Sequence, residues 1–232
     1  MDTAVSPRAT EQTALRRILV VNPNGNPEVT RLVSDAATGV LDRATSARVL
    51  HPEGSPRSIE TRADRAVAEP LAIDLLSRHP GYDAYVMACF DDIAVSGGRR
   101  FLEAPIVCAA EAAISVARLF APRIAIVTTV DTMVPGIRAL VAALGAGDIC
   151  TVRAAGIGVA SAAAGGAEIS RKLDATIQDA RNFDGAGAII LGSGGLTGRA
   201  RALSARHGIP VIDSIEAALT MAEVAARLRT GQ

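Results

Sequence analysis

The chain contains an internal repeat with a spacing of about 105 residues, and this feature limits the possible folds more than any other. Three segments recur in the same order at offsets of 106, 104 and 105 residues. The repeated pairs are RILVVNP (17–23) with RIAIVTT (123–129), AYVMACFDD (84–92) with AIILGSGGL (188–196), and APIVCAAEAAISV (104–116) with IPVIDSIEAALTM (209–221). A repeat of this length predicts two similar halves, each long enough for a compact α/β unit. The second pair aligns Cys89 with Ser193.

Short apolar runs alternate with helix-length segments through both halves, which is typical of parallel sheets covered by helices on both faces. The sequence therefore predicts an α/β fold with two doubly wound halves, related by pseudo-two-fold symmetry and separated by a cleft. We assign residues 1–16 to a flexible N-terminal arm, 17–115 and a C-terminal helix at 214–229 to the first half, and 116–213 to the second half. Helices are expected near 58–78, with Pro70 kinking or breaking the helix, and near 162–182.

Composition argues against several classes of partner. The net charge is zero and only 3% of the residues are aromatic, so neither a nucleic acid nor an anionic membrane surface is expected to bind. No apolar stretch reaches the roughly 20 residues of a membrane-spanning helix. Three widely spaced cysteines, Cys89, Cys108 and Cys150, match neither a disulfide framework nor a metal site, which favours the cytoplasm. The chain also lacks G-x-G-x-x-G and Walker A motifs, so we predict no nucleotide cofactor and no metal.

Ligands of parallel sheets bind beyond the carboxyl ends of the strands, where Cys89 is predicted to lie. Backbone N–H groups at a helix start stabilise an anion, so a thiolate is expected there, and a thiolate can remove a proton from carbon. The alternative is a buried structural cysteine. Asp91 and Asp92 follow Cys89 closely in the sequence. A carboxylate near a thiol raises the pKa of the thiol. We expect either Asp91 or Asp92 to cap the next helix.

Ser193 lies in the segment LGSGGLTG, where glycines allow the backbone to approach a ligand. The alternative is a tight turn with Ser193 as a helix N-cap. The segment is not a G-x-S-x-G elbow, and a hydrolase triad is not expected because His79 and His207 fall at helix ends. Asn22, Thr128 and Thr129 follow equivalent strands and could bind a small polar ligand or form strand-end turns.

Several segments taken together resemble a known family. They are RILVVNPN (17–24), SIET (58–61), YDAYVMACFDD (82–92), IVTT (126–129), AIILGSGGL (188–196) and HGIPVIDSIEAA (207–218). Over residues 17–226 the chain resembles the hydantoin and allantoin racemases of the aspartate/glutamate racemase superfamily. The resemblance implies a cofactor-independent racemase of a 5-substituted hydantoin such as allantoin, and an assembly of identical subunits.

In that family two cysteines face the stereogenic carbon, one removing a proton and the other supplying one to the opposite face. By resemblance Cys89 takes the first position. The second family cysteine belongs to a GCAG-type motif that reads GSGG here, so Ser193 takes its place. The resemblance also implies the substrate-binding positions Asn22, Phe90, Asp91, Thr128, Thr129, Gly192, Gly194 and Gly195. Where family members have Pro-Gly or Thr-Gly, this chain has Ile93-Ala94.

Serine at position 193 leaves three interpretations open. The chain could be an engineered variant of a two-thiol racemase, or a natural branch that uses Cys89 alone as a decarboxylase or isomerase. It could also be a binding protein for a small ligand without turnover. An alkanol is far less acidic than a thiol, so racemisation through Ser193 is expected to be slower, on the order of 10³-fold or more.

Overall fold

The computed structural model describes residues 15–230, and residues 1–14 of the predicted arm lie outside that range. The first strand begins at Arg16, the last residue that we assigned to the arm. The strands are β1 (Arg16–Val21), β2 (Thr45–Leu50), β3 (Ala84–Met87), β4 (Ile106–Cys108), β5 (Ile124–Thr128), β6 (Cys150–Ala154), β7 (Ala188–Leu191) and β8 (Val211–Asp213). The helices are α1 (Pro27–Val40), α2 (Arg62–Ser77), α3 (Val95–Phe101), α4 (Ala109–Ala117), α5 (Val134–Ala143), α6 (Val159–Ala164), α7 (Ala167–Asp184), α8 (Ala200–His207) and α9 (Ser214–Thr230).

The two halves have the same sheet topology, which confirms the predicted α/β fold. The first sheet has the strand order β2-β1-β3-β4 and the second has β6-β5-β7-β8, and all strand pairs are parallel. The registers are also equivalent, because Ile18 pairs with Ala84 as Ile124 pairs with Ala188. The central strands β1, β3, β5 and β7 are almost entirely buried, as expected when helices cover both faces of a sheet.

The helices that follow the last strand of each half cross to the other half. α4 contacts β7 and β8 of the second sheet, whereas α9 contacts β1, β3 and β4 of the first. The two helices also pack against each other. This reciprocal exchange joins the halves through a shared apolar layer and fixes the position of one sheet edge relative to the other.

Two predicted helices differ from the structure. The helix expected at 162–182 is interrupted at Gly165 and Gly166, whose φ angles of 78° and 117° are in the range that favours glycine, and α6 and α7 are separate helices. Pro70 does not break α2, which continues from Arg62 to Ser77. Within residues 15–230 no helix is long and apolar enough to cross a membrane.

Candidate functional site

The carboxyl ends of the central strands from both halves meet at a narrow inner cavity of about 40 Å³. Each half contributes the residues that follow its central strands, together with apolar side chains from the neighbouring helices. The cavity is lined by Asn24, Ile59, Ala88, Cys89, Phe90, Asp91, Thr128, Thr129, Met133, Ile137, Val159, Gly192, Ser193 and Gly194. Cys89 and Ser193, which the repeat aligns, therefore face one cavity from different halves.

Equivalent backbone hydrogen bonds bring the two residues to this cavity. The N–H of Ala88, just before Cys89, donates to the carbonyl of Val21 at 2.8 Å. The N–H of Gly192, just before Ser193, donates to the carbonyl of Val127 at 2.8 Å. Each bond extends the sheet by one residue past the end of the strand, so the residue that follows turns away from the sheet into the cleft.

Cys89 lies beside an ion-pair network that links its loop to α2. Arg65 Nη1 lies 2.5 Å from Asp91 Oδ1, and Arg65 Nη2 lies 3.0 Å from Asp92 Oδ1. Neither aspartate caps α3, so the predicted cap is wrong; the N-cap residue of α3 is Ala94, which has no side-chain cap and a φ of 61°. Glycine would adopt this left-handed conformation without strain, whereas the Cβ atom of Ala94 makes it unfavourable.

The Cys89 sulfur is a free thiol whose resting state differs from the expected thiolate. Burial raises the pKa of Cys89 to about 12, and the negative charge of Asp91 raises it further. A hydrogen bond from the Asp91 backbone and the positive charge of Arg65 oppose this increase. The expected thiolate is therefore wrong for the unliganded protein at neutral pH, and the group there is a thiol.

The Ser193 hydroxyl combines the two roles considered for it. It lies at the cavity wall with 9% of the residue exposed, and it also caps the 3₁₀ turn at Gly194–Leu196 by accepting from the Gly195 N–H at 3.3 Å. The glycines around it permit close approach of the two halves. A Cβ atom at Gly194 would lie 3.4 Å from the Ala88 carbonyl oxygen, so the loops that carry Cys89 and Ser193 are in direct contact.

The other predicted binding residues divide into two groups. Phe90, Asp91, Thr128, Thr129, Gly192 and Gly194 line the inner cavity, whereas Asn22 and Gly195 do not. The Thr128 hydroxyl donates to the Gly192 carbonyl at 3.2 Å and thereby ties β5 to the Ser193 loop.

Asn22 shapes the loop below the cavity. It is fully buried, and its Nδ2 donates to Asn24 Oδ1 at 3.1 Å and to the Thr30 hydroxyl at 3.0 Å. Asn24, the next polar residue after Asn22, lines the cavity instead. The position of Asn22 at a strand end identified this loop from the sequence. It could not show that Asn22 supports the loop while Asn24 faces the cleft.

A loop of the first half covers one side of the cavity and is hydrogen-bonded to the second half. Residues 51–61 run from β2 to α2, and Ile59 within them lines the cavity. Glu60 Oε1 accepts from the Val159 N–H, the first residue of α6, at 2.8 Å, and the Glu60 carbonyl accepts from the Thr132 hydroxyl at 2.7 Å. The SIET segment of the first half is thus held to two loops of the second half.

The apolar lining residues Met133, Ile137 and Val159 were missed by sequence reasoning. They lie in helical segments whose apolar residues have the same pattern whether they face the core or the cleft. Among the described lining residues, Cys89 and Asp91 are the only titratable side chains, and none is histidine. In residues 15–230 no group of three or more His, Cys, Asp and Glu side chains could hold a metal ion. The arrangement supports acid–base chemistry by one thiol close to a hydroxyl.

Comparison with known proteins identifies relatives along almost the whole chain. The model of the Asp/Glu/Hydantoin racemase family matches residues 18–222. A hydantoin racemase from Rhizobium meliloti is 35% identical over 209 residues, covering 89% of this chain and 87% of that protein. A hydantoin racemase from Paenarthrobacter aurescens is 34% identical over 212 residues, covering 89% of both. The structure of an allantoin racemase from Klebsiella pneumoniae matches with a TM-score of 0.88 and 31% identity, covering 92% of this chain and 88% of that one.

Proposed function

Because the chain belongs to the Asp/Glu/Hydantoin racemase family and is an isomerase of the racemase type, we propose that it racemises a 5-substituted hydantoin at the ring carbon. The observation that carries this proposal is that Cys89 and Ser193, at equivalent positions of the two halves, line one cavity. We further propose that the protein is cytoplasmic and assembles from identical subunits.

The thiol of Cys89 acts as the acid–base group on one face of the ring. Because the pKa of Cys89 is raised, its proton must first pass to solvent water, after which the thiolate takes the proton of the ring carbon. The electron pair of the broken C–H bond delocalises into the adjacent ring carbonyl, giving an enolate. The backbone N–H groups that directly follow Cys89 and Ser193, those of Phe90 and Gly194, belong to residues that line the cavity and serve in this proposal as donors to the negative oxygen.

Ser193 occupies the opposite side in our proposal and gives its hydroxyl proton to the planar carbon, after which the alkoxide recovers a proton from water. An alkanol is a weak acid, so this transfer is the slow one. A separation of about 7–8 Å between the Cys89 sulfur and the Ser193 oxygen suits a flat ring held between them, with roughly 3–3.5 Å on each side.

Serine at position 193 also favours a second candidate function. With a single thiol, the same cavity would support one-sided proton transfer, as in a decarboxylase or a double-bond isomerase of this superfamily. Product analysis with malonate-like and maleate-like acids separates this function from racemisation.

Circular dichroism of an enantiopure 5-substituted hydantoin tests the proposal. We expect the signal to decay faster with the wild-type protein than in buffer, and the Cys89→Ala variant to lose this acceleration. Cys150→Ala is the matched control, because Cys150 is a half-buried cysteine packed at the core outside the cavity, and it should retain the activity. Decay at the buffer rate with the wild-type protein, for both enantiomers, would contradict racemisation.

A further inference from the structure

The loop that carries Cys89 ends in a tight turn, residues 92–95, which leads into α3. The Val95 N–H donates to the Asp92 carbonyl at 3.0 Å and closes this turn. Its third residue, Ala94, has a φ of 61° and a ψ of −4°, close to the values of a type II turn. That position favours glycine, because a Cβ atom makes a positive φ unfavourable. A group outside the turn must therefore hold Ala94 in this conformation.

A type I turn over the same four residues would need no positive φ, since its third residue has a φ of about −90°. The two turn types differ mainly by a rotation of the central peptide, which here joins Ile93 to Ala94. That rotation reverses the directions of the Ile93 carbonyl and the Ala94 N–H. A group that binds one of these two atoms therefore selects one type of turn.

Glu69 of α2 binds the Ala94 N–H. Its Oε1 accepts from that N–H at 3.0 Å. Ala94 is fully buried, so water cannot replace the carboxylate, and a buried N–H without a partner is costly. In a type I turn the Ile93 carbonyl would point toward the carboxylate instead, and two acceptors repel each other. Glu69 thus stabilises the type II turn against the unfavourable φ of Ala94.

The turn is connected to the thiol through the two residues before it. The Asp92 N–H donates to Asp91 Oδ1 at 2.9 Å, and the Asp91 N–H is hydrogen-bonded to Cys89. Arg65 binds both aspartates, and its Nε lies 3.4 Å from Glu69 Oε2. A rotation within the turn would therefore displace Asp92 and, through Asp91, the sulfur.

We propose that Glu69 is a positioning residue for the reaction, which holds the Ile93–Ala94 peptide in the orientation that directs the Cys89 sulfur at the substrate carbon. The proposal rests on hydantoin racemisation by Cys89. Glu69 does not line the inner cavity, so its effect is transmitted through the loop. A misplacement of about 1 Å can lower a rate about 100-fold, so loss of the Glu69 acceptor should lower kcat and leave KM nearly unchanged.

Two substitutions of similar shape test the acceptor. Glu69→Gln keeps a side-chain oxygen that can accept from the Ala94 N–H, whereas Glu69→Met has no acceptor of comparable strength. Circular dichroism of 5-methylhydantoin gives kcat and KM. We expect Glu69→Met to lower kcat about tenfold or more with KM changed less than about twofold, and Glu69→Gln to lower kcat about threefold at most. Asp74→Met is the matched control, because Asp74 is an acid of α2 whose ion pair with Arg78 is exposed, and it should leave kcat unchanged.

Ala94→Gly tests whether Glu69 acts through the turn, because glycine adopts the type II conformation without help. Added to Glu69→Met, it should restore kcat to within about threefold of the wild type. A Glu69→Met protein with the wild-type kcat, or with a raised KM alone, would overturn the proposal, as would a double variant that recovers nothing. If Glu69→Met does not fold alone, folding of the double variant supports the coupling, and its failure to fold would overturn it.

A crystal structure of Glu69→Met tests the turn without reference to activity. We expect the φ of Ala94 to become negative, and a φ that stays positive would overturn the proposal. A wild-type protein that racemises no 5-substituted hydantoin would overturn the proposed function instead, while the structure of the variant would still decide whether Glu69 sets the turn.

Discussion

Ser193→Cys is the substitution that tests most sharply how the second half takes part in the reaction. A general acid or base held in position contributes about 10²–10⁴-fold to a rate, and an alkanol supplies little of this at neutral pH. Residue 193 already faces the cavity and is only 9% exposed. Replacing its hydroxyl by a thiol should therefore raise kcat/KM for racemisation by about 10²–10³-fold. The substitution should cost little stability. It weakens the hydrogen bond from the Gly195 N–H to the residue 193 side chain, which is already long at 3.3 Å, and such a cap contributes about 1 kcal/mol.

The assay follows loss of circular dichroism from each enantiomer of 5-methylhydantoin, with melting temperature as the measure of folding. Ser193→Ala is the companion variant, which removes the hydroxyl without adding a thiol and should not gain activity. A Ser193→Cys protein that melts within a few degrees of the wild type and racemises at the wild-type rate would refute the reasoning. It would mean that proton delivery at position 193 does not limit the reaction.

Three further predictions concern the surroundings of the site. Asp91→Asn removes a charge that raises the Cys89 pKa and should therefore speed alkylation of that thiol by iodoacetamide at pH 8, by about tenfold for each unit by which the pKa falls. Asp92→Asn is the control, and an equal or slower rate for Asp91→Asn would contradict the electrostatic assignment. Glu60→Ala removes the acceptor at the start of α6 and should lower the free energy of unfolding in urea by about 1 kcal/mol; no change would show that this link is not stabilising. Pro70→Ala restores a backbone N–H donor at an exposed position of α2 and should raise the free energy of unfolding by about 1–3 kcal/mol. A decrease would contradict the view that the proline weakens this helix.

Most of the fold could be predicted from the sequence because each buried strand is a short, nearly continuous apolar run. The repeat then predicted that both sheets have one topology, and the equivalent registers agree with it. The helix ends were harder to predict. Gly165 and Gly166 adopt positive φ angles that end one helix and start another, but glycine also occurs inside helices, as Gly97 and Gly98 do in α3.

The candidate site could be predicted in part. Strand-end position and the repeat placed Cys89 and Ser193 at one cleft, but they did not reveal the protonation state of the thiol. That state depends mainly on burial, which arises only when the halves close, whereas the Asp91 carboxylate is already close to Cys89 in the sequence. Arg65, in the middle of α2, gave no sequence signal of its own, since an arginine on a helix is usually solvated. Its pairing with both aspartates depends on how α2 packs beside the Cys89 loop.

Proton exchange at the ring carbon in heavy water tests the central claim directly. Each enantiomer of a 5-substituted hydantoin is incubated with the wild-type protein, and deuterium is measured separately in unreacted and inverted substrate. We predict that the enantiomer whose proton faces Cys89 gains deuterium faster than it inverts, because the thiol exchanges its proton with solvent and returns deuterium to the same face while delivery from Ser193 is slow. Exchange no faster than in buffer for both enantiomers, or deuterium found only in inverted product, would contradict a single active thiol at Cys89.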